Sequence, residues 1–396
     1  MSTAFLPSPE LSDDLRRLFV QALGAGIILS LVSAIGAFFD PGDFFRSYLM
    51  GYLFWLGLTL GALAIVMLQY LTGGAWGVMT RRTLESATRT LPLIALLFIP
   101  VAFGLPSLYD WAHPDLVKSE FALHHRASYM NPAMFVLRAF AYFAIWLVFA
   151  YFLNKWSRLQ DEYGGFEKKL AAISAPGLIL YVFTVTFSSV DWAESLENDW
   201  SSTMWGFLFV AMQTLSAFAF IIVVMTLLSR REPMASLFNK KHLHDLGKLL
   251  LMAVMLWAYF SFSQLLIVWT GNLTDEIPWY LRRLATSWGW LGVMLIVLQF
   301  LVPFLLLLSR PLKRSVPALC TVVGLVLFMR LVDLLWIVMP SYYERGFRLS
   351  WLNFSVPLAI GGLWVAMFAR ELQKRPLLPV RAPALESALK HGKEEE

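Results

Sequence analysis

Ten apolar stretches, each close to the length of a bilayer-spanning helix and separated by short charged connections, account for most of this chain. A helix needs roughly 20 predominantly apolar residues to cross about 30 Å of hydrocarbon. The stretches fall at about 15–39, 47–71, 91–109, 132–153, 171–190, 201–229, 243–271, 283–308, 314–339 and 351–370. Only 15% of the residues are charged, against about 25% in soluble domains, so lipid is the expected solvent for most of the surface. Backbone polar groups in lipid must be satisfied within the chain, and segments this long do so as helices. The expected fold is an all-α polytopic membrane protein with about ten transmembrane helices. Pro92, Pro100 and Pro106 interrupt the third stretch and predict a kinked helix there.

Basic residues set the orientation. Of the 32 Lys and Arg residues, 22 fall at the N-terminal end, in the even-numbered connections and in the C-terminal tail. The opposite connections hold seven, and Arg138, Lys248 and Arg330 lie within spans. Basic connections stay in the cytoplasm, so both termini are expected inside. This predicts a multi-pass membrane protein with its basic connections in the cytoplasm. The fifth-to-sixth connection, with Asp191, Glu194, Glu197 and Asp199 and no basic residue, belongs to the outer side. Asp191 and Glu194 would accept released protons or form a docking surface for a basic partner. Ser12-Asp13-Asp14 reads as a helix N-cap with acidic first-turn residues rather than as part of a cleaved signal peptide. The tail after Arg370, with Pro376, Pro379 and Pro383, reads as a flexible or partner-draped extension.

Composition removes several chemistries. The basic residues sit where anionic headgroups would meet them rather than in a pattern for nucleic acid. A single cysteine, Cys320, inside an apolar run cannot supply an iron–sulfur cluster, a C-x-x-C-H haem motif or an internal disulfide, and reads as a packing residue. The six histidines (His113, His124, His125, His242, His244 and His391) all lie outside mid-span positions, so no transmembrane b haem and no metal site is expected. No cofactor is expected to be bound by this chain itself. Gly57-x-x-x-Gly61 and the glycines at 24, 26, 361 and 362 point to close helix packing.

Ionisable groups inside spans are costly and are therefore candidates for function. In the seventh span Asp245, Lys248, Tyr259 and Ser263 fall on one helical stripe. That stripe reads either as a proton entry half-channel or as an interfacial ion pair with a snorkelling lysine. Between Lys248 and Tyr259 lies a gap of about 16 Å, filled by Met252 and Leu256. Gln213, Thr214 and Ser216 of the sixth span, or water, would have to bridge it. Arg330 and Asp333 share a face of the ninth span, with Asp333 about 10 Å from the outer end. They read as an outer proton exit, a substrate-facing acid or a self-neutralising pair. At the outer edge His124, His125, Tyr129, Asn131 and Arg138 carry groups suited to hydrogen-bonding a quinone, or equally to an ordinary polar interface.

Three stretches are distinctive together: Leu71-Thr-Gly-Gly-Ala-Trp-Gly-Val running on to Arg81-Arg82-Thr-Leu-Glu85-Ser-Ala-Thr-Arg89-Thr-Leu-Pro92; Ser189-Val-Asp191-Trp192-Ala-Glu-Ser-Leu-Glu197; and His244-Asp245-Leu-Gly247-Lys248 followed by Trp257-Ala-Tyr259-Phe-Ser261-Phe-Ser263-Gln264 and Asn272-Leu-Thr-Asp-Glu276-Ile-Pro278-Trp279-Tyr280. In these the chain resembles the ActF membrane subunits of alternative complex III, an NrfD-like family within a quinol:electron-acceptor oxidoreductase, over nearly its whole length. The resemblance implies a transmembrane domain over 1–375 with two four-helix bundles, about 47–190 and 201–339, flanked by the first and last helices, and a cytoplasmic tail over 376–396. It also implies partner subunits: an ActC-like homologue credited with the quinol (menaquinol) site, an iron–sulfur subunit and c-haem subunits. The family's assignment for this subunit is structural, with proton half-channels that fall here on Asp245, Lys248, Asp191, Arg330 and Asp333.

Overall fold

The computed structural model describes residues 5–391. Among the described residues, ten helices are long and apolar enough to cross a membrane: α1 (Pro9–Phe39), α2 (Pro41–Thr72), α3 (Ala75–Phe103), α4 (Pro132–Tyr163), α5 (Glu167–Leu196, ending in a 3-10 turn), α6 (Trp205–Leu228), α7 (Lys240–Gly271), α8 (Gly289–Leu308), α9 (Val316–Ser341) and α10 (Leu352–Gln373). No strand occurs among the described residues. The chain is an all-α, multi-pass membrane protein. An even number of spans brings the start of α1 and the end of α10 to the same face. That face carries the basic connections and is called the basic face; the opposite one is the acidic face.

Side-chain caps and prolines set the helix starts. The Ser8 hydroxyl accepts from Leu11 N, Asp40 from Asp43 N and Asn131 from Met134 N, each satisfying a donor the helix cannot. Proline follows each cap, where its missing N–H costs nothing. The first helix thus starts four residues before the expected Ser12 cap. Asp14, with Glu10, instead pairs with Arg231 of the α6–α7 connection.

The third span departs most from expectation. Helix begins at Ala75 rather than near 91, directly after Gly73 and Gly74. Their φ values of +70° and +97° turn the chain in a conformation side-chain-bearing residues avoid. The helix then breaks into short segments at Leu91–Leu96, Ile99–Phe103 and Leu105–Leu108, each with proline in its first turn. Arg81, Arg82 and Glu85 therefore lie on a buried helix, not in a connection. Arg282 and Arg283 likewise occupy a separate short helix, Ile277–Leu284, ahead of α8.

Helices α2 and α6 form the interior. Over its most apolar window α2 is 94% buried, whereas α1 is 11% buried. The two central helices meet where Gly61 faces the Gln213 carbonyl; a Cβ there would sit 2.2 Å from that oxygen. This is the role expected of the Gly57–Gly61 pair. Around this seam α2 packs on α3, α5, α9 and α10, while α6 packs on α5, α7 and α9. Helix α1 lies mainly on α10 and turns Ile28, Leu31, Ile35 and Phe38 outward.

The tail corrects another expectation. Residues 376–391 fold back over the chain's own basic face, ending in the short helix α11 (Leu385–Lys390) against α3. Leu377, Leu378, Leu385 and Ala388 are buried, and Leu377 N donates to Phe5 O at 2.8 Å. Apolar residues spaced between the prolines drive this docking; a reading of composition alone overlooks them. The remaining tail, 392–396, lies outside the described residues.

Candidate functional site

Three networks of charge are buried among the helices. The first lies near the basic face. In α3, Arg82, Glu85 and Arg89 recur at three- and four-residue spacing, so they share a face. Arg82 Nη1 donates to Glu85 Oε2 at 2.6 Å and to Ser157 Oγ of α4 at 2.8 Å. Ser157 in turn donates to Glu85 Oε1 at 2.5 Å, and Tyr70 of α2 to the same oxygen at 3.1 Å. Arg82 Nη2 pairs with Asp161. Arg81 bonds Gln69 and Gln160 at 3.1 and 3.2 Å. Arg375, from the root of the tail, reaches Glu85 at 3.8 Å. By the apolar stretches alone, Arg81, Arg82 and Arg89 fall in the connection between the second and third spans. The Arg82–Glu85 spacing beside the Gly-Gly turn was the available signal of a helix.

The second network lies at the acidic face, between α4 and α5. Arg138 of α4 grips Asp191 of α5 with both arms, Nε to Oδ2 at 2.8 Å and Nη2 to Oδ1 at 3.0 Å. Tyr142 donates to Oδ2 at 2.9 Å. Arg138 Nη1 also donates to the Tyr129 carbonyl at 2.6 Å, and the guanidinium lies 3.8 Å from the Tyr129 ring centre. Burial, and then the Asp191 carboxylate, push the Tyr129 phenol above its ordinary pKa. Tyr129 and Arg138, expected together at the outer edge, thus form one unit with Asp191, which was expected apart from them. Asn131 is the N-cap of α4. His124 and His125 are exposed on a short helix, where His125 stacks on Phe121.

The acidic connection is not a docking surface of free carboxylates, because Asp191, Glu194 and Glu197 are buried. Glu194 accepts from Ser202 N at 3.1 Å, and Glu197 pairs with Arg282 and Arg283. Arg283 is fully enclosed, donating to the Ile337 carbonyl at 2.8 Å and lying 3.8 Å from the Trp279 ring centre. Burial pushes its guanidinium down to about 10, so it is still a cation at neutral pH opposite Glu197. Arginines from distant segments neutralise Asp191 and Glu197, which local charge counting cannot see.

The third network crosses α6–α9. Arg330 Nη1 pairs with Asp333 one turn along α9. Trp257 Nε1 of α7 and Gln299 Nε2 of α8 also donate to Asp333 Oδ2, at 2.9 and 3.2 Å. Arg330 Nε reaches Ser216 Oγ of α6 at 3.3 Å. Gln299 belongs to a π-helical stretch, Leu295–Leu301. Pro303, four residues on, has no N–H for the Gln299 carbonyl, which gives a local reason for the wider register. Gln299 Oε1 is buried with no hydrogen-bond partner.

Beside this pair is a small cavity, with about 20 Å³ open to the centre of a water molecule, lined by Arg330, Ser216, Gln213, Ser188, Ser189 and Trp192. That is room for about one water, and the Trp192 indole N–H among its walls lacks a partner. The cavity joins α9 to α5, and so the third network to the helix carrying Asp191. On the basic side of Asp191 an aromatic layer of Phe98, Phe143, Trp146 and Trp192, with ring centres 5.0–6.1 Å apart, separates it from the Glu85 network.

The seventh-span stripe is arranged differently. Asp245 pairs with Lys248 at 3.1 Å, and His391 Nε2 of the tail lies 2.8 Å from its other oxygen. Lys248 is 56% exposed and Tyr259 63% exposed, and Ser263 is half-buried. Tyr259 therefore points away from the helix interior. Gln213, Thr214 and Ser216 do not bridge the gap, since Gln213 accepts from Tyr181, Thr214 donates to Val210 O and Ser216 faces Arg330. Compared with known proteins, the chain matches no family model, and no curated protein gives a significant match.

Proposed function

We propose that the chain is an integral membrane subunit of a quinol:electron-acceptor oxidoreductase of the alternative complex III type, in a bacterial inner membrane. In this reading it carries no electron carrier and contributes a proton path to the assembly. The supporting observation is the Arg330–Asp333 pair, whose side chains are 3% and 5% exposed inside a ten-span protein, beside a water-sized polar cavity. Two charges removed from both water and lipid are costly even when paired. A single carboxylate that accepts from Arg330, Trp257 and Gln299 on three helices can be held either ionised or neutral with little change in packing.

The path has an outer branch at Asp191 and Tyr142, a central station at Asp333 and an inner branch at Glu85 and Ser157. The aromatic layer keeps the inner and outer branches apart. Half-paths of this kind translocate protons only if a two-state element alternately connects them. The π-helical part of α8, which presents Gln299 to Asp333, is the element this reading assigns to that role. Redox chemistry belongs to partner subunits bearing iron–sulfur clusters and c haems, with menaquinol oxidised at an ActC-like homologue.

An affinity-tagged copy purified in mild detergent tests the assignment. The expected product is a multi-subunit assembly with c-haem absorbance bands and quinol-oxidising activity. A chain that purifies free of haem-bearing partners from membranes that contain them would overturn it.

A further inference from the structure

We propose that a basic crevice between α3, α4 and α10 is a binding site for an anionic phospholipid. The crevice is lined by Arg89, Lys155, Arg158 and Arg375, four cations against one carboxylate, Glu371, and encloses ≈ 480 Å³. That is far more than a bound water needs.

Its shape is graded along α4. Arg158 and Lys155 lie toward the basic end of that helix, and Tyr151, Ala150 and Leu147 follow toward its middle. From Arg158 to Leu147 is about 16 Å at the helical rise, enough to run from headgroup level into the acyl region. Tyr151 is 59% exposed and its neighbour Val148 51% exposed, so the apolar end opens on the outer surface of the helices, where acyl chains would lie. The Lys155 ammonium sits 5.6 Å from the Tyr151 ring centre, at the junction of the two zones.

The deep wall holds an unmet donor. Arg89 donates through Nε to Asn154 Oδ1 at 2.8 Å, and its Nη1 lies 3.6 Å from Glu371. Its Nη2 is buried without a hydrogen-bond partner. Glu371 is also engaged by Lys374, and Arg375 donates to the Asn154 carbonyl at 3.3 Å. The single carboxylate is thus shared between Arg89 and Lys374, leaving net positive charge facing the crevice. A phosphodiester would satisfy Arg89 Nη2 from inside while Lys155 and Arg158 close on it from the rim. Basic pockets between spans at the cytoplasmic level select such headgroups, and the apolar extension selects a lipid over a free anion.

The site touches the Glu85 network through Arg375, but it does not depend on the enzyme assignment. The test is native mass spectrometry of the full chain, in the assembly in which it purifies, after delipidation and titration with cardiolipin, phosphatidylglycerol or phosphatidylethanolamine. The expected result is preferential retention of the two anionic lipids. Retention should fall roughly tenfold or more in the Lys155→Gln/Arg158→Gln double variant, which alters only rim residues, and at least as far in Arg89→Gln. Millimolar inorganic phosphate should leave the adducts in place. Equal retention of phosphatidylethanolamine, adducts unchanged in the rim variant, or full displacement by inorganic phosphate would each overturn the proposal.

Discussion

Arg82–Glu85 and Arg330–Asp333 are both pairs three residues apart, buried on one helix face, but their surroundings differ. Glu85 receives Arg82, Ser157 and Tyr70, with Arg375 nearby, and Arg82 has a second carboxylate in Asp161. The network joins α2, α3, α4 and the root of the tail. Asp333 receives three donors on one oxygen, next to a glutamine oxygen with no partner and a small cavity. Each network keeps an unmet polar atom, Arg82 Nε in the first and Gln299 Oε1 in the second, but Glu85 is held through both oxygens, whereas Asp333 is held through one beside free volume that leaves room for another arrangement. On this contrast Glu85 holds helices together as well as forming the inner branch of the path, while Asp333 mainly handles a proton.

The largest effect is expected from Glu85→Ala. Removing one member of a buried pair costs about 3–5 kcal/mol, so thermal-shift size-exclusion should show a large loss of folded protein. A variant that folds almost normally would erase the contrast. Asp191→Asn leaves Arg138 without its two-armed partner and should cost about 2–3 kcal/mol, read by the same assay. A smaller effect would place Asp191 with Asp333 rather than with Glu85. Asn131→Ala removes a helix cap and should cost about 1 kcal/mol with no change in any proton-coupled activity. The smallest effect is expected from Tyr259→Phe, within about 0.5 kcal/mol and without functional consequence, because the side chain faces outward. A loss of proton coupling there would shift the path to the seventh span.

The ten spans were legible because lipid demands long apolar runs, and nothing else in a chain imitates them. Arg330 and Asp333 were legible for the same reason, as rare charges within such a run. Arg82 and Glu85 were not, because their helix is polar enough to average out as a connection while burying nearly every side chain. The Tyr259 stripe shows the opposite limit. Periodicity identified residues sharing a face of α7, but in lipid the outward face is as apolar as the inward one, so the pattern cannot say which is which. The pairing of Asp191 with Arg138, 53 residues apart, and of Asp245 with His391, 146 apart, depends on tertiary approach that spacing does not encode. The docking of the tail was hidden by its prolines.

The decisive experiment is the proton yield per quinol oxidised by the purified assembly in sealed vesicles, compared between the wild type and Asp333→Asn. Asparagine preserves size and can still accept from Trp257 and Gln299, so the helices should remain assembled. The expected result is sustained electron transfer with the translocated protons lost. An unchanged proton yield, with normal turnover, would show that the Arg330–Asp333 pair is a structural contact and that protons do not pass through it.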